Sequence, residues 1–265
     1  MEKIGFIGVG NMGSALMRGM LAGGALTPGG VLAYDADAQK LARTADELGI
    51  AAVDGARSLA RLADTIVLAV KPDAAPAVLE ELRDVLAPSK TVLSIVLGLD
   101  IRTMGALTGG RCRLIRCMPN TPALVGEGMI CLAFGDGFER EETERTAGLL
   151  APCGRVEIMD ERYLERVTAL TGSSPAYVFI MLEAMADAAV RNGLPRALSY
   201  RLAAQAVLGS AKMALETDGH PAELKDNVCS PAGSTIEAVR VLERRGFRSA
   251  LIEAMIACDA RAAGK

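Results

Sequence analysis

The sequence predicts an α/β protein in which an N-terminal Rossmann-like, doubly wound sheet is followed by an all-α domain. Short apolar runs alternate with helical segments over the first part of the chain, which is the pattern of βαβ units in a parallel sheet. A glycine-rich turn directly follows the first of these runs. After residue 160 the strand-like runs stop and only long helical segments remain. We therefore expect one domain over residues 1–160 and a second over 161–265.

The predicted strands cover 3–7, 31–34, 50–53, 65–70, 91–96, 113–117, 129–133 and 155–158. Helices of the first domain are expected over 12–21, 38–48, 59–63 and 74–86, where apolar residues recur with helical spacing. In the second domain we expect helices over 161–192, 195–217, 234–244 and 247–262. Gly193 and Pro195 separate the first two of these, because Gly ends helices and Pro fits a first turn. The helical half carries more apolar positions than one layer needs, so we expect it to pack against another subunit.

The composition is that of a globular protein with an aliphatic core. Of the 265 residues, 51% are apolar but only 3% are aromatic and none is Trp, so Ala, Leu, Val, Ile and Met must fill the core. The net charge of −3, with acids and bases interspersed, argues against nucleic acid and membrane surfaces as partners. The longest apolar stretch, 167–190, is interrupted by Glu183 and Asp187, and no apolar leader precedes the first strand. We therefore expect a cytoplasmic protein.

Cysteine and histidine usage narrows the chemistry further. The six cysteines form no Cys-x-x-Cys pair and lie in apolar contexts, which favours reduced core thiols over disulfides or metal ligands: Cys112, Cys117, Cys131, Cys153, Cys229 and Cys258. The single histidine, His220, lies in a predicted loop beside Pro221. We expect neither a metal site nor a histidine-based triad.

The glycine-rich turn predicts a dinucleotide cofactor. In Gly8-Val9-Gly10-Asn11-Met12-Gly13, Gly8 permits the sharp turn, Gly10 lets the backbone approach a pyrophosphate and Gly13 lets the helix pack close to the strand. The amides of Asn11 and Met12 then face the anion at the helix N-terminus. A glycine-rich turn without a ligand is the alternative, and the strand before the motif with the helix after it disfavours that alternative.

Asp35 is the candidate that reads the cofactor ribose. It ends the second predicted strand about twenty residues after Gly13, where a carboxylate accepts hydrogen bonds from the ribose 2′-hydroxyl and repels a 2′-phosphate. This favours NADH over NADPH. The alternative is that Asp35 or Asp37 simply caps the next helix, since both are good N-cap residues.

The ends of the fourth and fifth strands complete the predicted cofactor crevice, because ligands of a doubly wound sheet bind at the carboxyl ends of its strands. Ala69, Val70, Lys71 and Pro72 follow the fourth strand, and Leu97 follows the fifth. Lys71 would touch the cofactor diphosphate or merely cover the end of the strand.

A second anion receptor is predicted in the helical half. Ser234 and Glu237 have the spacing of a capping box, so we expect a helix to begin at Ser234. Amides of the preceding small-residue loop would converge on its positive end, where Gly233 leaves room for a carboxylate. An ordinary capped helix is the alternative. Together with a nicotinamide site, this receptor indicates reduction of a small carboxylated substrate.

Five segments, in this order along nearly the whole chain, resemble the pyrroline-5-carboxylate reductases. They are Gly8 to Gly13, Ala69 to Pro72, Met118 to Pro122, Thr171 to Tyr177, and Ser230 to Thr235. The resemblance implies a Rossmann domain over 1–160, a helical dimerisation and substrate-binding domain over 161–265, and dimers arranged further as decamers. The implied reaction passes a hydride from NADH or NADPH to the imine carbon of Δ1-pyrroline-5-carboxylate, forming proline.

The resemblance also implies which residues contact the substrate: Glu161, Asn227, Ser230, Ala232, Gly233, Ser234 and Thr235. Glu161 and Thr235 are the catalytic candidates, with the Thr235 hydroxyl as an orienter or proton relay near the ring nitrogen. The chain departs from the family at Asp35, at Ala56 in place of an asparagine, at Ser174 in place of a glycine, and at Val96-Leu97 in place of two small residues.

Two other functions remain open at this level. One is a reductase of a related cyclic imino acid, such as the six-membered homologue. The other is a catalytically silent NAD(H)-binding regulatory protein, which would have no need of the second anion receptor. A β-hydroxyacid dehydrogenase is disfavoured, because it would need a lysine on the central helix and residues 161–192 contain none.

Overall fold

The computed structural model describes residues 3–217 and 219–262. Its central feature is one eight-stranded sheet with the strand order β3-β2-β1-β4-β5-β6-β7-β8. The strands are β1 Ile4–Ile7, β2 Val31–Tyr34, β3 Ala51–Ala52, β4 Thr65–Leu68, β5 Thr91–Ser94, β6 Arg113–Met118, β7 Gly128–Phe134 and β8 Gly154–Ile158. All neighbouring pairs are parallel except β6 and β7, which are antiparallel. The strand order reverses between β1 and β4, and this switch point creates a crevice at their carboxyl ends.

Helices of the sheet-containing part are α1 Asn11–Ala22, α2 Ala38–Leu48, α3 Ala56–Leu62, α4 Ala75–Leu82, α5 Ile101–Thr108, α6 Arg140–Leu150 and the short α7 Glu161–Leu164. Alternate residues of each strand point to opposite faces, so the sheet has two apolar cores. Phe6 packs with Leu16 and Met17 of α1 on one face. Ile7 packs with Leu59 of α3 on the other. Both faces are therefore covered, as a parallel sheet requires.

The chain divides by its internal contacts into two units. The first takes in the described residues up to Gly172 and those from Asp259 onward, and the second is Ser173–Cys258. This division falls later than the boundary predicted after residue 160. The reason is local: the Glu161 carboxylate accepts a hydrogen bond from Ile101 N at 2.7 Å, which ties α7 to the sheet-containing unit.

The second unit is helical. It contains α8 Ser174–Arg191, α9 Arg196–Glu216, α10 Pro221–Val228, α11 Ser234–Arg244 and most of α12 Phe247–Ala262. Many of its large apolar side chains are exposed, among them Phe179, Ile180, Leu202, Leu208, Met213, Ile252 and Ile256. A single chain rarely leaves so much apolar surface in water, so this unit is built to be covered by a partner. No helix in the described ranges is both long and apolar enough to cross a membrane.

The single helix predicted over 161–192 is wrong. The structure breaks it into α7, a wide helical turn over Thr168–Gly172 and α8. Pro175 has no amide hydrogen to continue a helix, so it serves in the first turn of α8 instead. The Thr171 hydroxyl donates back to Val167 O at 3.0 Å, which stabilises the wide turn.

Three helices were not predicted from the sequence: α5, α6 and α10. α6 is polar along most of its length, so its apolar periodicity is weak, although Glu139 and Glu142 form a capping box at its start. α5 has a sequence signal, because Asp100 caps it by accepting from Thr103 N and Gly109 ends it in the left-handed conformation. His220 lies just outside α10 and caps it through Nδ1.

Candidate functional site

The glycine-rich turn lies at the carboxyl end of β1, at the switch point of the sheet. Gly8 has φ +101°, and a Cβ there would overlap the Ala69 carbonyl oxygen, so only glycine fits. A Cβ at Gly13 would lie 2.5 Å from Gly8 O and 3.1 Å from the Ala69 Cβ. Gly8 N donates to Tyr34 O at 2.8 Å. The turn is therefore pressed against β4 and braced from β2.

α1 presents an open N-terminus at this turn. Its N-cap is Gly10, which has no side chain to occupy the first amides, and its first turn contains no acidic residue. Asn11 and Met12 are the first helical residues. Unpaired amides and the helix dipole favour an anion at this point, and Gly10 leaves room for its close approach. The residues present thus fit the pyrophosphate of a dinucleotide cofactor.

Asp35, at the end of β2, stabilises the glycine-rich turn by a hydrogen bond. Its Oδ2 accepts from Val9 N at 2.8 Å, its Oδ1 accepts from Asp37 N at 3.0 Å, and Lys40 Nζ lies 3.5 Å from Oδ2. Partial burial by itself would raise the pKa of Asp35, but the hydrogen bonds from Asp37 N and Val9 N and the charge of Lys40 outweigh it and hold the pKa below its usual value. The N-cap of α2 is Asp37, which accepts from Lys40 N. Asp35 is therefore free of the capping role.

The ends of β4 and β5 border the same crevice. Ala69 N donates to Ile7 O, and Val70, Lys71 and Pro72 follow, with Lys71 exposed. After β5, the loop turns through Gly98, which has φ +75°.

Val96 and Leu97, the two bulky residues at which the chain differs from the family pattern, differ in burial. Val96 is buried against the second apolar core, and its amide donates to the Ser94 hydroxyl. Leu97 is 41% exposed. Of these two bulky residues, Leu97 is therefore the one whose side chain is exposed. Ala56, a further departure, begins α3 and is buried in the same core.

Two buried polar side chains, Arg116 and Asn120, form a buried frame of polar contacts that joins segments of the first unit. Arg116 on β6 is 2% exposed, and its Nη1 lies 3.2 Å from Glu161 Oε1. The same Oε1 accepts from Ile101 N, the first residue of α5. Asn120 joins two further segments, because its Oδ1 accepts from Met129 N and its Nδ2 donates to Thr171 O. The segment Met118 to Pro122, one of the five that resemble the family, is thus a structural junction.

In the second unit, a tight turn over Ser230–Gly233 leads into α11. Gly233 N donates to Ser230 O at 3.0 Å, and Ala232 has φ +56°, the single positive φ of a non-glycine in the described ranges. Such strain persists only where the surroundings require it, and it is often found at ligand sites. A Cβ at Gly233 would overlap Ser230 Oγ.

The capping box predicted at Ser234 and Glu237 is wrong. α11 does begin at Ser234, but its N-cap is Gly233 and no side chain caps it. Glu237 instead pairs with Arg240 at 2.9 Å along the helix. The reason is that Gly233, with ψ 168°, is the last extended residue, which moves Ser234 inside the helix. The first amides of α11, next to Thr235, are thereby left open to a ligand.

The structure brings the predicted site residues into two groups. Those for the cofactor gather at the β1–β4 crevice of the first unit. In the second unit, Ser230 and Ala232 to Thr235 lie in the turn before α11 and in its first residues, whereas Asn227 lies in α10. Glu161 belongs to the first unit, where its carboxylate is engaged by Ile101 and Arg116. Ser174, another departure, is the first residue of α8.

Two residues of this region were missed from the sequence. Lys40 lies one turn into α2 and reaches Asp35. Arg116 is buried in a strand of apolar neighbours, and a charge in such a run was the signal that could have identified it. Within residues 3–217 and 219–262, no group of three or more His, Cys, Asp and Glu side chains is placed to hold a metal ion.

Comparison with known proteins gives two family models and many relatives. The model for pyrroline-5-carboxylate reductase dimerisation matches residues 161–265, and the model for NADP oxidoreductase, coenzyme F420-dependent, matches residues 3–98. The pyrroline-5-carboxylate reductase of Escherichia coli K12 is 47% identical over 97% of this chain and 96% of its own length. That of Methanosarcina acetivorans is 41% identical over 98% and 96%.

Solved structures agree. Plasmodium falciparum pyrroline carboxylate reductase with NADP bound superposes with a TM-score of 0.89 at 32% identity, covering 98% of this chain and 97% of that one. The pyrroline-5-carboxylate reductase of Coxiella burnetii gives a TM-score of 0.91 at 34% identity, covering 99% and 98%.

Proposed function

Because the chain belongs to the pyrroline-5-carboxylate reductase family, we propose that it reduces Δ1-pyrroline-5-carboxylate to L-proline with NAD(P)H, the last step of proline biosynthesis. The observation that carries this function is a pair of open helix N-termini, each approached through glycine: α1 behind Gly10 and α11 behind Gly233. One suits a pyrophosphate and the other a carboxylate. A reductase of a small imino acid needs both receptors.

The cofactor is held by the glycine-rich turn, the start of α1 and the loops after β2, β4 and β5. We assign cofactor contact to Gly8, Gly10, Asn11, Met12, Gly13, Asp35, Ala69, Val70, Lys71, Pro72 and Leu97. The amides of α1 neutralise the pyrophosphate, and the exposed Lys71 adds a cation near the end of β4. When bound, the nicotinamide cofactor supplies the hydride.

On the substrate side, we assign contact to Asn227, Ser230, Ala232, Gly233, Ser234 and Thr235. The open amides of α11 hold the substrate carboxylate, which fixes one end of the ring. Thr235 then orients the ring nitrogen through its hydroxyl. The imine nitrogen is basic enough to be protonated near neutral pH, so Thr235 has to hold that proton in place rather than act as a strong acid.

For Glu161 we propose a role in positioning. Its Oε1 accepts from Ile101 N at 2.7 Å and lies 3.2 Å from Arg116 Nη1, so it secures the start of α5 and with it the loop after β5. That loop carries Leu97, which borders the cofactor crevice. Glu161 thus acts through the backbone that it holds.

We further propose that NADH is preferred and NADPH accepted. The carboxylate of Asp35 is 15% exposed at the end of β2, where it can accept from a ribose 2′-hydroxyl and repel a 2′-phosphate. Lys40, 3.5 Å away, reduces that repulsion and lets the phosphorylated cofactor enter.

We assign cofactor binding and substrate binding to two different domains. Residues 1–160 bind the dinucleotide, and residues 161–265 dimerise and bind the substrate. The dimerisation family match and the exposed apolar helices support a homo-oligomer. A decamer and a cytoplasmic location stay predictions; six unpaired thiols fit a reducing compartment. Light scattering of the purified protein measures the assembly size.

The function is tested by following NADH and NADPH oxidation separately with Δ1-pyrroline-5-carboxylate and with its six-membered homologue. Faster turnover of the five-membered imine is expected. Faster turnover of the six-membered imine would identify a related imino acid reductase instead. Cofactor binding without turnover of either imine would identify a silent NAD(H)-binding protein.

A further inference from the structure

Lys40, in the first turn of α2, places its ammonium group between two residues of the proposed cofactor site. Its Nζ lies 3.5 Å from Asp35 Oδ2. The same Nζ lies 3.8 Å from the position that a Cβ on Gly10 would take. Lys40 therefore stands between the carboxylate at the end of β2 and the glycine in front of α1.

This position is at the adenosine end of the crevice. A dinucleotide held there has its adenosine ribose at Asp35 and its pyrophosphate at the start of α1, behind Gly10. The ribose therefore lies beside the Lys40 ammonium. Its 2′ position carries a hydroxyl in NADH and a phosphate in NADPH, so Lys40 is placed next to the one group that distinguishes the two cofactors.

The acceptor capacity of Asp35 suits the hydroxyl and not the phosphate. An ionised carboxylate has about four acceptor positions. Oδ2 accepts from Val9 N at 2.8 Å and faces Lys40, and Oδ1 accepts from Asp37 N at 3.0 Å. One position stays open for a ribose hydroxyl. An ionised phosphate has no hydrogen to donate to it, so the charge of NADPH has to be met by another group.

The ion pair between Lys40 and Asp35 is loose enough to exchange. Its 3.5 Å separation exceeds the distance of about 2.7–2.9 Å that is typical of a charge-assisted hydrogen bond. The Lys40 side chain is 36% exposed, and its flexible stem lets the ammonium change partner. A phosphate monoester carries nearly two negative charges at neutral pH, against one on Asp35, so it attracts the ammonium more strongly.

We propose that Lys40 binds the 2′-phosphate of NADPH, and that it gives up its ion pair with Asp35 when this cofactor enters. With NADH, Lys40 stays paired with Asp35, and Asp35 accepts from the 2′-hydroxyl. Each cofactor is thus recognised by one member of the same ion pair. The inference rests on the proposed cofactor site and adds to it the residue that accommodates the phosphate.

The test compares adenosine 5′-monophosphate with adenosine 2′,5′-bisphosphate, which differ only in the 2′-phosphate, each titrated calorimetrically into the full chain. Lys40→Met removes the charge and keeps an unbranched side chain. It should lower the affinity for the bisphosphate about ten- to thirtyfold and change that for the monophosphate less than about twofold. Lys40→Arg should keep most of the bisphosphate affinity, because the charge remains.

Arg43→Met is the matched control. Arg43 is exposed on the next turn of α2, and its substitution removes the same charge from the same helix. The ratio of the two affinities should equal that of the unmodified chain, since the effect of Lys40 is local and a more distant surface charge is screened by salt.

Two further readouts report on the contact itself. An ammonium beside the 2′-phosphate favours its doubly charged form, so phosphorus NMR should give the bound bisphosphate a lower 2′-phosphate pKa in the unmodified chain than in Lys40→Met. In steady-state kinetics, kcat/KM for NADPH should fall in Lys40→Met by about the factor found for the bisphosphate, while kcat/KM for NADH changes less than about threefold.

Three results would overturn the role of Lys40 and leave the cofactor site standing. One is an unchanged bisphosphate affinity in Lys40→Met. Another is an equal loss of both nucleotides, which would place Lys40 at the phosphate that they share. The third is the same 2′-phosphate pKa with and without the Lys40 charge. Failure of both nucleotides to bind to the unmodified chain would overturn the proposed cofactor site itself, and this inference with it.

Discussion

Replacing Asp35 by Ser should move the cofactor preference toward NADPH. Asp35 makes three interactions at the end of β2, with Val9 N, Asp37 N and Lys40 Nζ. Ser keeps a small polar side chain there but loses the negative charge. The hydrogen bond to Val9 N braces the glycine-rich turn for either cofactor, so its loss lowers binding of both and cancels in their ratio.

The size of the change follows from the charge and exposure of Asp35. A hydrogen bond to a charged group contributes about 1.5–3 kcal/mol, and the partial exposure of this carboxylate places it in the lower half of that range. The kcat/KM for NADH should then fall about ten- to thirtyfold. The substitution also removes the repulsion between the Asp35 charge and the 2′-phosphate, and it frees Lys40 from its ion pair with Asp35. Together these changes should favour NADPH binding by about 1 kcal/mol. The NADPH to NADH ratio therefore rises on the order of a hundredfold.

The assay is the kcat/KM for each cofactor at saturating imine, measured on the same preparation. Asp37→Ser is the matched control, because Asp37 caps α2 and Ser also serves as an N-cap, so its ratio should equal that of the unmodified chain. A ratio that changes less than about threefold in Asp35→Ser would refute the ribose role. Asp35 would then serve only to brace the turn.

Three further predictions concern the substrate side, the buried frame and acid stability. Thr235→Ala should lower kcat/KM for the imine by about 1–3 kcal/mol of transition-state binding, and unchanged kinetics would remove Thr235 from the site. Glu161→Gln should lower stability by about 1–2 kcal/mol in urea unfolding and raise the KM for cofactor, because its charge holds Arg116 while its Oε1 holds Ile101 N. Glu165→Gln is its control; that carboxylate is 60% exposed and 3.7 Å from Arg116, so equal losses in both variants would contradict the positioning role. The pKa of Asp35 is lower in the folded than in the unfolded chain, so the stability that this carboxylate contributes is complete above about pH 5 and is lost as pH falls through about 4 and below. Asp35→Asn should therefore make the fall of Tm at acid pH less steep. An unchanged fall of Tm would contradict this contribution of Asp35.

Local patterns in the sequence determined the bounds of several elements in both units. α2 was predicted with the observed bounds, and so were β2, α11 and α12. The glycine-rich turn was placed correctly between β1 and α1, because the requirements for Gly8 and Gly13 come from backbone sterics within a few residues of chain and the adjoining strand end. The family was recognisable from five short segments for a related reason: each lies at the end or the beginning of an element, where the residue types are restricted locally.

Contacts between residues that are far apart in the sequence were determined by the tertiary structure alone. Asp35 meets Val9, Arg116 meets Glu161 and Asn120 meets Thr171 because strands β1, β2 and β6 bring distant segments together. Hydrophobic periodicity reports which face of an element is buried but not which residue lies opposite it, so none of these pairs could be predicted. The cap of α11 shows the same limit on a smaller scale. The sequence located the start of that helix, but the backbone angles at Gly233 determined that its amides stay open. Those angles belong to the turn over Ser230–Gly233, which the hydrogen bond from Gly233 N to Ser230 O closes.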